Sequence, residues 1–216
     1  MTRLLALLLA CALTATAFAD PPAADPVIDS AMTEAEAFEG LSPKCPQDIR
    51  DRQRLVAVTY VGFDGRDHRG QVVVDRDLVE DIEAVFAVAR REKFPVESVV
   101  PIALPKFRKA GAWDDDASMA ANNTSAFNYR LVSGGTTLSN HATGRAIDIN
   151  PVQNPYIRGK AKPLPPGSVY RVSERGTLTA DHPVTKEFVA RGWTWGGNWA
   201  TTVDYQHFEK PLKKSE

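Results

Sequence analysis

The sequence predicts an α+β fold in which helices pack on one side of a small, mainly antiparallel sheet. Residues 55–63 and 71–74 are rich in β-branched side chains and are separated by turn-forming residues, which predicts a β-hairpin. Residues 79–89 repeat apolar side chains at helical spacing, which predicts a helix facing the core. Residues 146–150 alternate apolar and polar side chains, which predicts a further short strand.

The N-terminus predicts an export signal over residues 1–19. A weakly positive start precedes an apolar run, and Ala17-Phe18-Ala19 matches a cleavage site before Asp20. The run is too short to span a bilayer, so no membrane span is expected. A competing interpretation is a bacterial lipoprotein box at residues 8–11, which would attach a lipid to Cys11. We expect an exported protein, periplasmic or extracellular, that begins at Asp20, with an anchor at Cys11 as the alternative.

The charge balance argues against a nucleic-acid partner. The chain has 26 Lys and Arg against 27 Asp and Glu, and removal of residues 1–19 takes away only Arg3. The remaining 25 cations and 27 acids give a net charge of −2, which offers no attraction for a phosphate backbone. Cleavage also removes Cys11, so Cys45 has no partner for an intrachain disulfide and is expected to be an inert thiol.

Composition divides the remaining chain into two parts. Residues 20–48 are rich in proline, alanine and acidic residues and predict a linker with at most one short helix, at residues 33–38. The alternative is an N-terminal arm, helical over residues 30–39, that packs on the domain. The 197 residues that remain after signal removal are sufficient for one domain with its own core. We assign this domain to residues 49–216 and expect it to be monomeric.

The elements after the hairpin follow from local signals. Asp75 or Asp77 can cap the predicted helix, which should run to about Glu92. Residues 99–104 are apolar and predict another short strand. His68 falls among the turn residues of the hairpin and is predicted to be solvated.

Residues 106–118 lack periodicity and predict irregular structure. They contain the acidic triplet 114–116. The flanking residues lack the alternating oxygen ligands of a calcium loop. The triplet therefore predicts a solvated loop rather than a calcium site.

His141 and Asp148 are the first candidate metal ligands. They are symmetric about the bond between Gly144 and Arg145. If Gly144 turns the chain, the two become cross-strand neighbours with Cβ atoms about 5 Å apart. Two side chains that close can share a metal ion. The strand that carries Asp148 is expected to end at Pro151.

Asp204 and His207 form a second candidate pair, in a segment whose composition favours a strand. In a regular strand a three-residue spacing would place them on opposite faces. They converge if Asp204 lies in the turn before the strand, which we prefer because residues 196–198 predict a loop upstream; a bulge is the alternative. His182 is the rival third imidazole, but it precedes Pro183 and predicts a helix start.

Together these residues are the inventory of a catalytic zinc hydrolase. Two imidazoles and a carboxylate provide three protein ligands and leave a fourth position open for water. A second carboxylate, three residues before the last ligand, provides an acid/base. The ordered set is more specific than a lone histidine or aspartate.

These motifs also carry a resemblance to a known family. They are Ser139-x-His141-x-x-Gly144-x-Ala146-x-Asp148 and Asp204-x-x-His207. Together they resemble the zinc peptidases of the VanY-like D-Ala-D-Ala carboxypeptidase superfamily, which share a fold with the lysostaphin-type and Hedgehog domains. Residues 123–130, 150–156 and 195–197 resemble most closely the L-alanyl-D-glutamate endopeptidase branch. The resemblance extends over residues 54–211.

The resemblance implies one Zn²⁺ per chain. Its ligands would be the residues at the matching positions, His141, Asp148 and His207. Asp204 matches the general base, and Arg130 matches an arginine that stabilises the developing oxyanion. Ser139 matches a motif serine that lies near the substrate. Arg145 is left outside the catalytic set, and Glu209 is the second candidate for the base because it lies on the same strand face as His207.

The function that the resemblance implies is an exported zinc peptidase that cuts the stem peptides of peptidoglycan. The L-Ala–D-Glu bond is the preferred site of cleavage. A D-Ala-D-Ala carboxypeptidase or dipeptidase is the alternative within the enzyme class. The alternative from a different class is an inactive, zinc-holding wall-binding module, although such a module would not require Asp204.

Overall fold

A computed structural model describes residues 25–132 and 134–212. The predicted signal peptide and the alternative anchor at Cys11 lie outside the described residues. The helices are α1 (Glu34–Ala37), α2 (Gln47–Arg52), α3 (Val79–Arg91), α4 (Asp115–Ala120) and α5 (Pro183–Ala190). None of these helices is long and apolar enough to cross a membrane.

The strands are short, except for the first hairpin. They are β1 (Val27–Ile28), β2 (Gln53–Val61), β3 (Asp67–Asp75), β4 (Ser98–Val99), β5 (Arg108–Lys109), β6 (Ala112–Trp113), β7 (Asn123–Thr124), β8 (Ala146–Asp148), β9 (Tyr156–Arg158), β10 (Thr194–Trp195), β11 (Thr202–Asp204) and β12 (His207–Glu209). The α+β class is confirmed. The described strands are divided among several small sheets, however, where the sequence predicted one.

The predicted hairpin is present as β2 and β3, which pair from Gln53 opposite Asp75 to Val61 opposite Asp67. Alternate residues of β2 enter the core, because successive side chains of a strand point to opposite faces. The turn is shorter than predicted, so β3 begins at Asp67. The prediction that His68 is a solvated turn residue is therefore wrong, because its side chain is largely buried within the strand.

The predicted core-facing helix is α3. Asp75 caps the 3-10 turn that leads into it, since its side chain accepts a hydrogen bond from the backbone N–H of Asp77. The apolar stripe is buried, with Ile82, Val85 and Phe86 each at most 3% exposed. The helix packs against β2 and α5, and it therefore closes one side of the core.

A second sheet, in the order β10-β12-β8, contributes to the same core and is antiparallel throughout. Ile147 and Phe208 point inward and are fully buried. Phe208 stacks on Phe188 of α5 with ring centroids 4.0 Å apart. Because these inward side chains are held by close packing, the neighbouring residues of β8 and β12 are held on the other face of the sheet.

Two predictions for the middle of the chain are corrected. The strand expected over residues 99–104 is limited to β4, which pairs in parallel with β7. Residues 106–118 are not irregular: they form the β5–β6 hairpin and the start of α4. The acidic triplet begins this helix, because Asp114 caps it through the backbone N–H of Ala117 and acidic residues are favoured in a first turn.

Residues 25–46 lie against the domain as an N-terminal arm. β1 pairs in parallel with β3, and α1 begins with a capping box between Thr33 and Glu36. Ala37 is buried, and the ring of Phe38 meets Phe127 edge-on at 6.1 Å. The arm therefore contributes apolar contacts to the domain.

We expect the arm contact at His68 to weaken as the pH rises. The His68 ring nitrogens lie 2.9 Å from Asp29 Oδ2 and 3.0 Å from Asp64 Oδ1. Burial alone would lower the pKa of His68, but these carboxylates raise it above its ordinary value. The resulting stabilisation is complete below the unfolded-state pKa of about 6.5 and is lost as the pH rises through the folded-state value.

Thermal melts of the wild type and of His68→Gln between pH 5 and pH 9, at equal metal loading, test this expectation. The Tm advantage of the wild type should shrink as the pH rises, because glutamine does not titrate. A difference in Tm that does not change with pH would contradict it.

Candidate metal centre

Three different elements position the candidate metal ligands. His141 lies in the 3-10 turn Asn140–Thr143, which ends at Gly144 with φ +67°. Asp148 ends β8 and His207 begins β12, where the two are paired across the strands. The predicted cross-strand pair of His141 and Asp148 is therefore wrong, because the turn replaces the strand expected before Gly144. The cross-strand partner of Asp148 is His207.

The three side chains nevertheless converge. The Nε2 atom of His141 lies 3.2 Å from the Nδ1 atom of His207 and 3.2 Å from Asp148 Oδ2. The His207 Nδ1 atom lies 3.0 Å from Asp148 Oδ1. One potential ligand atom from each residue lies within 4.8 Å of the others, and all three residues are buried. The group can hold a metal ion.

Hydrogen bonds orient both imidazoles. The His141 Nδ1 atom lies 2.6 Å from the carbonyl oxygen of Ala126 and must carry the hydrogen, since a carbonyl only accepts. The His207 Nε2 atom donates to Glu209 Oε2 at 3.0 Å, and Asn140 donates to the same oxygen. The other two ring nitrogens then lie 3.2 Å apart, an arrangement that a proton or a metal ion can stabilise. Nitrogen and oxygen donors with such hydrogen-bonded imidazoles fit Zn²⁺.

Charges within the group shift the neighbouring pKa values. Burial alone would raise the pKa of Asp148, but the imidazoles of His141 and His207 hold it well below its ordinary value. Burial also opposes the protonation of His207, but hydrogen bonds to Asp148 and Glu209 raise its pKa. The hydrogen bond from His207 lowers the pKa of Glu209. The group therefore attracts a positive charge, either a proton or a metal ion.

Asp204 lies beside this group at the end of β11, opposite Tyr156 of β9. The turn at residues 205–206 separates it from β12, which belongs to another sheet. Asp204 is thus the last residue before the turn, whereas the sequence predicted that it lies within the turn. Gly196 permits this approach, because a Cβ there would lie 2.6 Å from the backbone oxygen of Asp204.

The Asp204 side chain is buried, and its Oδ1 atom has no hydrogen-bond partner among the described residues. Burial raises the pKa of the Asp204 carboxyl, and the negative charge of Asp148 raises it further. A buried carboxyl group with a raised pKa beside a candidate metal site is suited to proton transfer.

All six predicted site residues line one cleft of about 470 Å³; they are Arg130, Ser139, His141, Asp148, Asp204 and His207. Arg130 is held by Asp115, with Nη2 and Oδ2 2.9 Å apart. Ser139 accepts a hydrogen bond from the backbone N–H of His141 and so caps the ligand turn. The sequence did not identify Asp115 as a cleft residue, because the acidic triplet 114–116 predicted only a solvated loop.

Glu209, the second candidate for the base, also lines the cleft, whereas Arg145, His182 and Cys45 do not. Arg145 is buried beside Asp75, with Nη1 and Oδ1 3.2 Å apart, so it faces neither substrate nor water. His182 caps α5 and precedes Pro183 at the first helical position, as predicted. Cys45 is a free, partly buried thiol.

An α+β domain with a buried site of two histidines and one aspartate, and a further acid in the cleft, has the residue set of a metallohydrolase. A family model described as D-alanyl-D-alanine carboxypeptidase matches residues 133–210. The matched segment contains the three candidate ligands and Asp204 but not Arg130. This match supports the superfamily that the motifs resemble, and it supports a hydrolase that is a peptidase. Comparison with curated proteins and with solved structures found no match.

Proposed function

We propose that this protein is an exported zinc peptidase that hydrolyses the stem peptides of peptidoglycan, with the L-Ala–D-Glu bond as its preferred site. The observation that carries the proposal is the convergence of His141, Asp148 and His207 in a cleft that also contains Asp204. A zinc ion held by these ligands would supply Lewis-acid chemistry and lower the pKa of a water molecule.

The proposed roles of the other cleft residues follow from their positions. Asp204 takes a proton from the attacking water and transfers it to the leaving amine, which its raised pKa favours near neutral pH. Arg130 places a cation on the cleft wall for the negative charge that develops on the scissile carbonyl oxygen. Its Nη2 atom is held by Asp115, which fixes the position of this cation in the cleft lining. Ser139 borders the bound peptide and supports the turn that carries His141.

The proposal also includes the fold family, the location outside the cytoplasm and the monomeric state of the protein. The sheet of β8, β10 and β12 is consistent with a fold of the Hedgehog and D-Ala-D-Ala peptidase type. An exported monomer would reach the stem peptides, its only proposed partners, outside the cytoplasm. Intact-mass measurement of the exported protein tests its processing: a start at Asp20 supports the signal peptide, and an acylated Cys11 supports the anchor.

The second candidate is a D-Ala-D-Ala carboxypeptidase or dipeptidase, because the matching family model carries that description. The chemistry at the metal would be the same for either bond. An inactive wall-binding module is the weaker candidate, since it gives no reason for a buried acid at Asp204.

Digestion of defined tetrapeptide and pentapeptide muropeptides, followed by mass spectrometry, tests the function. We expect cleavage between L-Ala and D-Glu in both substrates, with the D-Ala-D-Ala terminus left largely intact. Zinc-free enzyme should cleave neither. Release of D-Ala from the pentapeptide with the Ala–Glu bond untouched would assign the carboxypeptidase instead.

A further inference from the structure

The cleft contains one guanidinium group that the proposed mechanism does not use. Five acids line the cleft, namely Asp115, Asp116, Asp148, Asp204 and Glu209, whereas its described cations other than histidine are Arg130 and Arg158. Arg130 is paired with Asp115. Arg158 is exposed, and no carboxylate of the described residues lies within ion-pair distance of it. A substrate anion that enters this acidic cleft would therefore meet an uncommitted cation at Arg158.

Strand register places Arg158 close to the proposed base. β9 and β11 are antiparallel, with Tyr156 opposite Asp204 and Arg158 opposite Thr202. These four residues line the cleft, as expected for alternate positions on one face of a strand pair. Arg158 therefore lies two residues, about 7 Å, along β9 from the level of Asp204. An extended substrate peptide covers that distance with about two residues.

The Arg158 side chain extends toward a second wall of the cleft. A Cβ atom on Gly134 would lie 3.7 Å from the Nη1 atom of Arg158. Gly134 has φ +72° and lies in the loop closed by the bridge between Leu131 and Leu138. The guanidinium group therefore lies between β9 and this loop, at the solvent-exposed side of the cleft.

We propose that Arg158 binds the α-carboxylate of the D-residue that follows the scissile bond. This inference rests on the proposed function. D-Glu linked through its γ-carboxyl group keeps a free α-carboxylate, and the last residue of a D-Ala-D-Ala terminus also has one. Either candidate bond is therefore followed by a residue with the same anionic group. An arginine side chain suits it, because the planar guanidinium fork matches a carboxylate with two parallel hydrogen bonds.

Kinetics with amidated peptides test the proposal. The substrates are a pentapeptide L-Ala-γ-D-Glu-L-Lys-D-Ala-D-Ala, its D-isoglutamine form and its C-terminal amide. Amidation of the α-carboxylate on the residue directly after the cleaved bond should lower wild-type kcat/KM by about 10- to 100-fold, mainly through KM. Arg158→Ala should cause a similar loss on the unmodified peptide and no further loss on amidation. Arg158→Lys should restore part of the preference, and Arg175→Ala, an exposed arginine outside the cleft lining, should behave as wild type.

The two sources of the carboxylate give different results. Sensitivity to isoglutamine alone supports Arg158 at the D-Glu residue, and sensitivity to the terminal amide alone supports it at the terminal D-Ala. Equal activity on all three peptides in the wild type would overturn the proposal. The proposal would also be overturned if Arg158→Ala lowered kcat/KM, relative to the wild type, by the same factor for the unmodified and the amidated peptides.

Calorimetric binding to Asp204→Ala, with and without Arg158→Ala, separates this inference from the proposed function. Suppose that the wild type hydrolyses no stem peptide, but that amidation weakens peptide binding to Asp204→Ala only when Arg158 is present. The proposed function then fails and the carboxylate site stands. If peptides are hydrolysed but amidation changes neither binding nor kcat/KM, the carboxylate site fails and the proposed function stands. No detectable binding of any of the three peptides would overturn the carboxylate site.

Discussion

His207→Ala is expected to abolish stoichiometric zinc binding and to reduce peptidase activity below detection. His207 would supply one of three ligand atoms, and its Nδ1 atom lies 3.0 Å from Asp148 Oδ1 and 3.2 Å from His141 Nε2. Removal of the imidazole leaves only two ligands, too few for a tight zinc site. Elemental analysis of protein purified without added metal should find one zinc per wild-type chain and far less in the variant.

A matched control separates loss of zinc from general damage. His68 is also an imidazole hydrogen-bonded to carboxylates, but it lies outside the cleft lining. His68→Gln should keep one zinc per chain and near-normal activity. Circular dichroism and thermal melts establish that each variant is folded. A folded His207→Ala protein with full zinc content, or a wild type without zinc, would overturn the ligand assignment.

Asp204→Ala is expected to keep zinc and fold but to lose at least about 10²-fold in turnover, the lower range for a general acid/base. The metal ligands remain, so only proton transfer is removed. Asp204→Asn is the sharper variant, because it keeps the shape of the side chain and removes its charge. Burial and the charge of Asp148 raise the pKa of Asp204 by more than His207 and His141 lower it. Removal of this carboxylate charge should therefore not lower the Tm.

The measurements are zinc content, Tm and kcat on the same stem peptide. Near-normal turnover with zinc bound would exclude Asp204 as the base. Glu209 would then be the next candidate, although its Oε2 atom already accepts hydrogen bonds from His207 and Asn140. Loss of zinc in both Asp204 variants would instead indicate that Asp204 supports the metal site.

Local patterns were informative wherever short-range physics determines the structure. The hairpin, the buried stripe of α3 and the helix start at His182 follow from alternation, helical spacing and the fixed backbone angle of proline. The candidate ligand set could also be chosen from residue type and order, since few side chains offer imidazole or carboxylate donors. What these patterns predict is chemistry and local conformation.

Tertiary structure determined which of these residues meet. His141 was predicted to lie across from Asp148, but the cap from Ser139 favours a 3-10 turn, and the strand opposite Asp148 comes from β12, 59 residues away. Sequence spacing does not reveal such a pairing, because it depends on burying Ile147 and Phe208 in the same core.

The same limit applies to charged residues. Arg145 lies within the ligand motif yet is buried against Asp75, while Arg158 lies outside the motif and lines the cleft. The sequence by itself determined the α+β class, the main local elements and the residues able to bind a metal. Only the tertiary structure decided their partners, their burial and the shape of the cleft, because these depend on contacts between segments far apart in the chain.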